Sequence, residues 1–358
     1  MQILQPDDLE LIIATLKFHF YEYTKIIGQG GYGSVHLIRS VGYSCSFVAK
    51  IVEQSRVKQD EISAMLSLTH PNIISMYEYF TDTKFMYMIL EYCPGDSLST
   101  FIKKKNFVPV PDLYYLCAKL LLAIKECHDN NIAHRDIKPG NILIDSNGRP
   151  KLVDFGLCMN SLEKGQLVNN FCGSKKYMAP EIIKKVPYDP KKSDVWTLGI
   201  TFFVLATGKS PWDESNQSDI PIVLGVISYS EIRAHQDFIK IIRDMLQVNP
   251  NKRASIDEIL VKPFLKPYLS TLSLQESSAV TNNMSATNVR RITFDRSRRY
   301  SVALIQHINE EKDTIESSKS ERGNPVTLSF ETRLQMNRPK IRKSFSKCLE
   351  NNHPTFIC

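Results

Sequence analysis

The 358-residue chain lacks several features that define small stapled or membrane-spanning proteins. Its eight cysteines form no closely spaced pair, which argues against zinc ribbons and dithiol redox motifs and favours reduced thiols. No apolar run approaches the roughly 20 residues that span a bilayer. Because acids precede any lysine at the start, we expect no signal peptide. These absences predict a cytoplasmic protein, with the nucleus as the alternative.

A strong charge of either sign is also missing from most of the chain. The net charge is +7, from 45 Lys and Arg against 38 Asp and Glu. Residues 265–358 hold 15 of the basic and 9 of the acidic side chains, so the rest is nearly neutral. Nucleic-acid binding needs a clustered basic footprint. We therefore expect no nucleic-acid partner for the globular part.

The order of the sequence patterns predicts a small sheet followed by a mainly helical region. Residues 6–18 place acids ahead of an apolar run, as in a helix that packs on a core; membrane attachment is the alternative. Residues 21–85 carry short β-branched and aromatic runs around a helix-like segment at 57–68. Helical patterns follow at 112–129, 193–207, 237–247 and 255–260. From residue 265 the composition predicts a largely disordered tail.

The first chemical signal is a GxGxxG frame at residues 28–33, with the sequence GQGGYG. Glycine lets the backbone turn sharply and approach phosphate oxygens closely. In a dinucleotide-binding unit the last glycine opens a helix, whereas residues 35–38 here alternate as a strand does. The glycines therefore join two strands, which favours a flap over a nucleotide rather than a Rossmann unit.

A lysine within an apolar strand is the second signal. Lys50 follows Val48 and Ala49, and a lysine there needs an anion to offset its desolvation. Glu61, on the helix-like segment, is the natural carboxylate partner. The pair would hold Lys50 against the α and β phosphates of a nucleotide. A purely structural salt bridge is the alternative.

Two further motifs lie in the second half of the chain. Residues 134–141 read HRDIKPGN, and Asp154-Phe155-Gly156 follows. With the glycine frame and Lys50, these motifs resemble the eukaryotic protein kinase family over residues 21 to about 264. The resemblance implies an α+β, bilobal kinase-like fold: a small antiparallel N-lobe sheet with one helix (21–90) and a mainly α-helical C-lobe (94–264). A helical extension (1–20) would precede it, and the tail (265–358) would follow.

The chemistry of phosphoryl transfer fits these residue types. Asp136 would accept or orient the proton of a substrate hydroxyl, and Lys138 would stabilise the transferring γ-phosphoryl group. Asn141 and Asp154 offer hard oxygen ligands for Mg²⁺. A lysine at 138 resembles the Ser/Thr type of catalytic loop. We therefore expect ATP and Mg²⁺ as cofactors and protein Ser/Thr hydroxyls as acceptors.

The resemblance also assigns the residues around the nucleotide. Leu90 resembles the gatekeeper, and the hinge after it would bind adenine through its backbone. Val35, Ala49 and Leu143 would sandwich the ring. The full set expected to bind the nucleotide is Ile27, Gly28, Gln29, Gly30, Gly31, Tyr32, Gly33, Ser34, Val35, Ala49, Lys50, Glu91, Cys93 and Leu143.

Scaffold residues are assigned by the same resemblance. Glu181 would pair with Arg253, and Asp194 would anchor the backbone of the catalytic loop. A further set matches the stack that links the lobes of an active kinase, with ordinary core as an equally valid interpretation: Met65, Met76, His134 and Phe155.

The activation segment, residues 154–181, departs from many relatives. Where they often carry a phosphorylated Thr, this chain has Asn170, so Arg135 lacks its usual phosphate partner. We hypothesise that the segment is ordered without phosphorylation at 170. Ser174 is expected to pack beside Asp136.

Several motifs are similar to the calmodulin-dependent and AMP-activated kinase group. Basophilic relatives have Glu where this chain has Ser97 and Gly140, which predicts a weak preference for upstream Arg, although Asp96 offers a partial substitute. The chain is thus interpreted as a protein serine/threonine kinase in signalling. A pseudokinase scaffold is the alternative from another class. Basic residues ahead of hydroxyls in the tail suggest an upstream kinase or a regulatory partner, with an unstructured linker as the alternative.

Overall fold

The N-terminal part of the chain folds into a five-stranded antiparallel sheet. We describe a computed structural model, whose described residues are 5–30, 33–43, 45–163, 165–212 and 219–269. The strands are β1 Tyr21–Gly30, β2 Gly33–Ser40, β3 Ser46–Glu53, β4 Met76–Thr81 and β5 Phe85–Glu91. They lie in the order β1-β2-β3-β5-β4.

Side chains alternate between the two faces of a sheet, and here both faces contribute buried residues to clusters that include helix residues. Helix α1, Pro6–Phe18, has two acids in its first turn, which the helix dipole favours. Its Ile12 and Leu16 are fully buried in a cluster with sheet residues such as Tyr87. Helix α2, Gln59–Ser67, contributes to a second cluster that contains the neighbouring β5 residues Met86 and Met88. The apolar side of residues 6–18 is therefore buried on the sheet, as expected.

The rest of the described chain is mainly helical. Its elements are α3 Leu98–Lys105, α4 Val110–Asp129, β6 Ile142–Ile144, β7 Pro150–Leu152, α5 Pro180–Ile183, α6 Pro190–Thr207, α7 Ile220–Leu224, α8 Gln236–Met245, α9 Ile256–Leu260 and α10 Lys266–Leu269. Helix α6 is buried on almost every side, as befits a central helix. Asp189 caps its start by accepting two backbone hydrogen bonds. Gly208 ends it with φ 76°, and a side chain there would collide with the Asn106 carbonyl.

The predicted fold class, a small antiparallel sheet with a helical second lobe, is confirmed. Helix α3 was missing from the prediction, and helical structure continues through Leu269, past the predicted boundary at 264. The tail from residue 270 lies outside the described residues. Within the described ranges, no helix combines the length and the apolar character needed to cross a membrane.

Candidate active site

The glycine-rich segment forms the turn between β1 and β2. Gly30 pairs with Gly33 at the end of the hairpin, while Gly31 and Tyr32 lie outside the described residues. Gly33 has φ +143°, and a Cβ there would lie 2.2 Å from the carbonyl oxygen of Ile51. Only glycine fits this close approach of two strands. The glycines thus join two strands, as the sequence predicts.

The expected nucleotide residues beside this turn do not share one face. Val35 pairs with Lys50, so their side chains lie on the same side of the sheet. Ser34 faces the other side, where its Oγ lies 2.7 Å from Nε2 of buried His36. Ile27 is 45% exposed at an irregularity of the β1 register. The remaining two, Gly28 and Gln29, pair with Val35 and Ser34.

The structure corrects the assignment of Ala49. Side chains alternate along a strand, so Ala49 points away from the face that carries Lys50. It is fully buried in the cluster beneath α1, with Ile38 and Tyr87. Val48 shares the face of Lys50 instead. Val48 is therefore the β3 residue in the place that the resemblance gave to Ala49.

Lys50 joins two carboxylates from distant parts of the chain. Its Nζ lies 2.6 Å from Glu61 Oε1 and 3.0 Å from Asp154 Oδ1. Burial alone would lower the pKa of Lys50, but the two carboxylates outweigh it and raise that pKa. Burial alone would raise the pKa of Asp154, but the positive charge of Lys50 outweighs burial and lowers that pKa. Lys50 and Asp154 are therefore both charged at neutral pH, and the Lys50 ammonium lies between two acidic side chains.

The connection between the lobes runs from Leu90 to Cys93. The Glu91 carboxylate forms an ion pair with Lys151 Nζ at 2.8 Å, so this side chain already has a charged partner. Cys93 is buried, and burial raises the pKa of its thiol to about 12. Leu143, half-buried on β6, packs against the core on the C-lobe side.

Three polar side chains surround the Asp136 carboxylate, two from the catalytic loop and one from the activation segment. Asn141 Nδ2 donates to Asp136 Oδ2 at 2.9 Å, and Lys138 Nζ donates to the same oxygen at 2.7 Å. Ser174 Oγ donates to Asp136 Oδ1 at 2.7 Å. Asp136 is 7% exposed, so these bonds fix its orientation. Because the amide nitrogen of Asn141 is used, its oxygen is the atom free to ligate a cation.

A side chain of the central helix α6 forms hydrogen bonds with the backbone of this loop. The carboxylate of Asp194, fully buried on α6, accepts hydrogen bonds from the backbone N–H groups of His134 and Arg135, both at 2.8 Å. Arg135 and Asp154 have φ values of 69° and 63°, which are uncommon for residues with a side chain. The buried Asp194 therefore supports a strained loop, as the resemblance implies.

The residues expected to link the lobes lie in or against one hydrophobic cluster. Met65, Met76 and Phe155 all belong to the larger core cluster. The rings of His134 and Phe155 meet edge to face at 4.8 Å between centroids. With Phe155 buried, its neighbour Asp154 is directed toward Lys50.

The end of the activation segment is fastened by a buried ion pair. Arg253 forms two parallel hydrogen bonds with Glu181, at 2.6 and 2.9 Å. The guanidinium is fully buried and also lies over the ring of Trp196. A bidentate Arg–carboxylate pair in this setting is among the stronger ionic contacts. It fixes α5 to the loop before α9.

The donor set fits a nucleotide-bound Mg²⁺ better than a metal held by protein alone. Among the described residues, no group of three or more His, Cys, Asp or Glu side chains is placed to hold a metal. Mg²⁺ prefers one or two protein oxygens together with phosphate oxygens and water. Asn141 and Asp154 supply that number of oxygens. A Cβ at Gly156 would lie 3.2 Å from Asp154 Oδ1, so the glycine keeps this carboxylate accessible.

Comparison with known proteins decides the family. The protein kinase domain family matches residues 21–265, about two thirds of the chain. The chain belongs to this family. The resemblance drawn from the sequence motifs is therefore confirmed.

Named relatives of this kinase include proteins from animals and an amoeba. Sperm motility kinase 2B of Mus musculus is 32% identical over 68% of this chain and 51% of its own length. NUAK family SNF1-like kinase 2 of Homo sapiens is 29% identical over 81% of this chain and 47% of its own length. A probable serine/threonine-protein kinase of Dictyostelium discoideum is 32% identical over 67% of this chain and 30% of its own length. The chain thus spans about half the length of the first two relatives.

Sequence reasoning missed three contributors to this kinase site. Val48, and not Ala49, shares the sheet face of Lys50. Lys151 engages Glu91 at the hinge, and Lys58 Nζ donates to the Gly156 carbonyl at 2.5 Å. Strand alternation could have identified Val48. The two lysines carry no local signal, because their partners are distant in the sequence.

Proposed function

We propose that this chain is a protein serine/threonine kinase that transfers the γ-phosphoryl group of Mg-ATP to Ser or Thr hydroxyls of proteins. The observation that carries the proposal is the fixed orientation of Asp136 by Lys138, Asn141 and Ser174. A carboxylate held in this way can accept a hydrogen bond from a substrate hydroxyl and take its proton. The neighbouring ammonium of Lys138 can offset charge on the transferring group.

The other side of the cleft supplies the groups for the nucleotide. Lys50, oriented by Glu61, is available to the α and β phosphates. Asn141 and Asp154 would hold Mg²⁺, which would neutralise charge on the phosphate oxygens. Val35, Val48 and Leu143 offer apolar surface for the base. Phosphoryl transfer is accelerated mainly by such alignment and charge neutralisation.

Phosphate transfer to a generic acceptor protein, such as casein, tests this proposal. With the full chain and radiolabelled Mg-ATP, we expect Asp136→Asn to lower the rate by roughly 10²- to 10⁴-fold, because the proton acceptor is lost. Asp129→Asn is the matched control, since Asp129 lies at the exposed end of α4 and pairs with Lys125. Equal rates for the wild type and the Asp136 variant would remove the basis of the proposal.

A pseudokinase scaffold is the second candidate. Lys50, Glu61, Asp136, Asn141 and Asp154 are all present, and their side chains are in contact within two groups. This favours catalysis over a scaffold role. The transfer assay separates the two candidates, because a scaffold would phosphorylate no protein whether or not it binds ATP.

The proposed substrate preference is weak toward upstream arginine. Ser97 caps α3 through its hydroxyl and carries no charge. The carboxylate of Asp96 pairs with Lys104 at 2.6 Å, which reduces its attraction for a substrate cation. On a peptide array with systematic substitution around the acceptor, we expect no more than about a threefold effect of Arg at the third upstream position. A dominant Arg requirement there would contradict this proposal.

Regulation through the tail is proposed from sequence alone. Thr293, Ser301 and Ser344 follow basic residues, a pattern that suggests an upstream kinase or a regulatory partner. These positions lie outside the described residues.

A cytoplasmic location, with the nucleus as the alternative, is proposed from the cysteine pattern.

A further inference from the structure

Arg135 places a permanent positive charge inside the C-lobe. The residue is 7% exposed, and a guanidinium does not lose its proton in a protein. A buried charge is costly unless acceptors or an anion compensate it. Within the described part of the chain, its Nε has no hydrogen-bond partner. The hydrogen bonds of its Nη2 are therefore part of what compensates this charge.

Asn170 supplies two of these groups. Arg135 Nη2 donates to the backbone oxygen of Asn170 at 2.6 Å and to its side-chain Oδ1 at 3.2 Å. Nη2 also donates to the sulfur of Cys172. Charge-assisted hydrogen bonds of this kind are stronger than neutral ones. One uncharged residue thus supplies two of the three acceptors of Nη2.

Asn170 is itself fixed to the rest of the lobe. Its carbonyl also accepts a hydrogen bond from the Tyr188 hydroxyl at 2.9 Å. Tyr188 is buried and exchanges two backbone hydrogen bonds with Val168. The ring of Phe171 stacks on that of Tyr188. Residues 168–171 are therefore held against the segment that leads into α6.

The next residues connect this anchor to the reacting aspartate. Gly173 passes so close to the catalytic loop that a Cβ would lie 2.9 Å from the Arg135 carbonyl oxygen. Ser174 then donates to Asp136, the neighbour of Arg135 in the chain. Arg135 and Asp136 thus hold the two ends of the same five-residue stretch, 170–174.

We propose that Asn170 is a positioning residue: its side-chain amide, acting through Arg135, holds the activation segment against Asp136 with no phosphate group at position 170. This deepens the proposed kinase function and rests on it. Asn170 is exposed at the surface, so substitutions there leave the core intact.

The first test compares three variants of the full chain after phosphatase treatment, with the absence of phosphate checked by intact mass. We expect Asn170→Ala to lower kcat/KM for a peptide substrate about tenfold, through loss of a hydrogen bond to a charged group, with KM for ATP unchanged. Asn170→Asp restores the acceptor and should stay within about twofold of wild type. Asn169→Ala, the adjacent exposed asparagine, is the matched control and should be unchanged.

Backbone hydrogen exchange over residues 168–174 gives a second readout that does not need activity. We expect faster exchange in Asn170→Ala than in Asn169→Ala, at equal melting temperature. The proposal is overturned by equal kinetics or equal exchange in the two alanine variants, by failure of Asn170→Asp to restore activity, or by loss of wild-type activity on phosphatase treatment. A wild type that phosphorylates nothing would contradict the kinase proposal, and exchange alone would then decide the role of Asn170.

Discussion

Along β3, single residues decide which side chains face the nucleotide cleft. Val48 and Lys50 lie on one face, whereas Phe47, Ala49 and Ile51 belong to the cluster under α1. Because the side-chain period of a strand is two residues, moving an assignment by one position transfers it to the opposite face. The Ala49 error arose in this way: Ala49 directly precedes Lys50 and cannot share its face.

Substitutions at these two adjacent positions should therefore affect different properties. We expect Val48→Phe to raise KM for ATP about tenfold by filling the cleft, with little change in the melting temperature. Ala49→Leu should lower the free energy of unfolding by about 1–3 kcal/mol, because it overpacks a closed cluster. Steady-state kinetics and urea unfolding measure both. If Ala49→Leu weakened ATP binding more than Val48→Phe, the assignment of faces would be wrong.

Among the elements, helix α1 precedes the part of the chain that the family match includes. The match begins at residue 21, yet Ile12 and Leu16 are fully buried on the sheet. Thr15 also donates to Asp82 at 3.1 Å, and the ring of His19 stacks on that of Phe80. These contacts make α1 part of the N-lobe core and not a separate appendage.

A pair of neighbouring isoleucines tests this role of α1. Ile12→Ala removes a fully buried side chain and should lower the free energy of unfolding by about 2–5 kcal/mol. Ile13→Ala, at a position 37% exposed, should cost much less and serves as the control. Urea unfolding of the full chain measures both. Equal effects would show that the contribution of α1 does not come from its buried face.

The helices differed in how far the sequence could predict them. Helices α4, α6 and α8 have long apolar patterns, and each was predicted within a few residues of its bounds. Helix α3 was missed because it is short and three lysines occupy its last turn. In the structure, Ser97 caps its start, since the hydroxyl accepts a hydrogen bond from the Thr100 N–H.

Within the site, the motifs themselves and the family resemblance predicted several contacts, such as Glu181–Arg253 and Ser174–Asp136, while other contacts between distant positions were not predicted. The Lys50–Glu61 pair was inferred from the chemistry of a lysine in an apolar strand. The Lys151–Glu91 and Arg135–Asn170 contacts join positions 60 and 35 residues apart. Contacts of this kind depend on how the chain packs, and no local periodicity encodes them.

At the scale of the whole molecule, stability should depend on pH through groups whose pKa the fold shifts. Burial lowers the pKa of His36 from 6.5 to about 4 and also lowers that of His70. A group whose folded pKa is depressed contributes stability above its unfolded pKa and loses it as the pH falls toward the folded value. Asp154 acts in the same direction at lower pH. Glu78, whose pKa burial raises, acts in the opposite direction.

His36 should dominate the change between about pH 7 and about pH 5, because its window spans 6.5 to about 4. It is fully buried, and within the described residues its Nδ1 has no hydrogen-bond partner, so a proton there meets no acceptor. Its contribution to the loss of unfolding free energy should be about 2 kcal/mol over this interval. His36→Leu cannot titrate and should reduce the pH dependence by that amount in urea unfolding at the two pH values. His235→Asn, at a histidine side chain that is 60% exposed, is the control for replacing a histidine outside the core. A His36→Leu variant as sensitive to acid as the wild type would mean that the proton binds elsewhere.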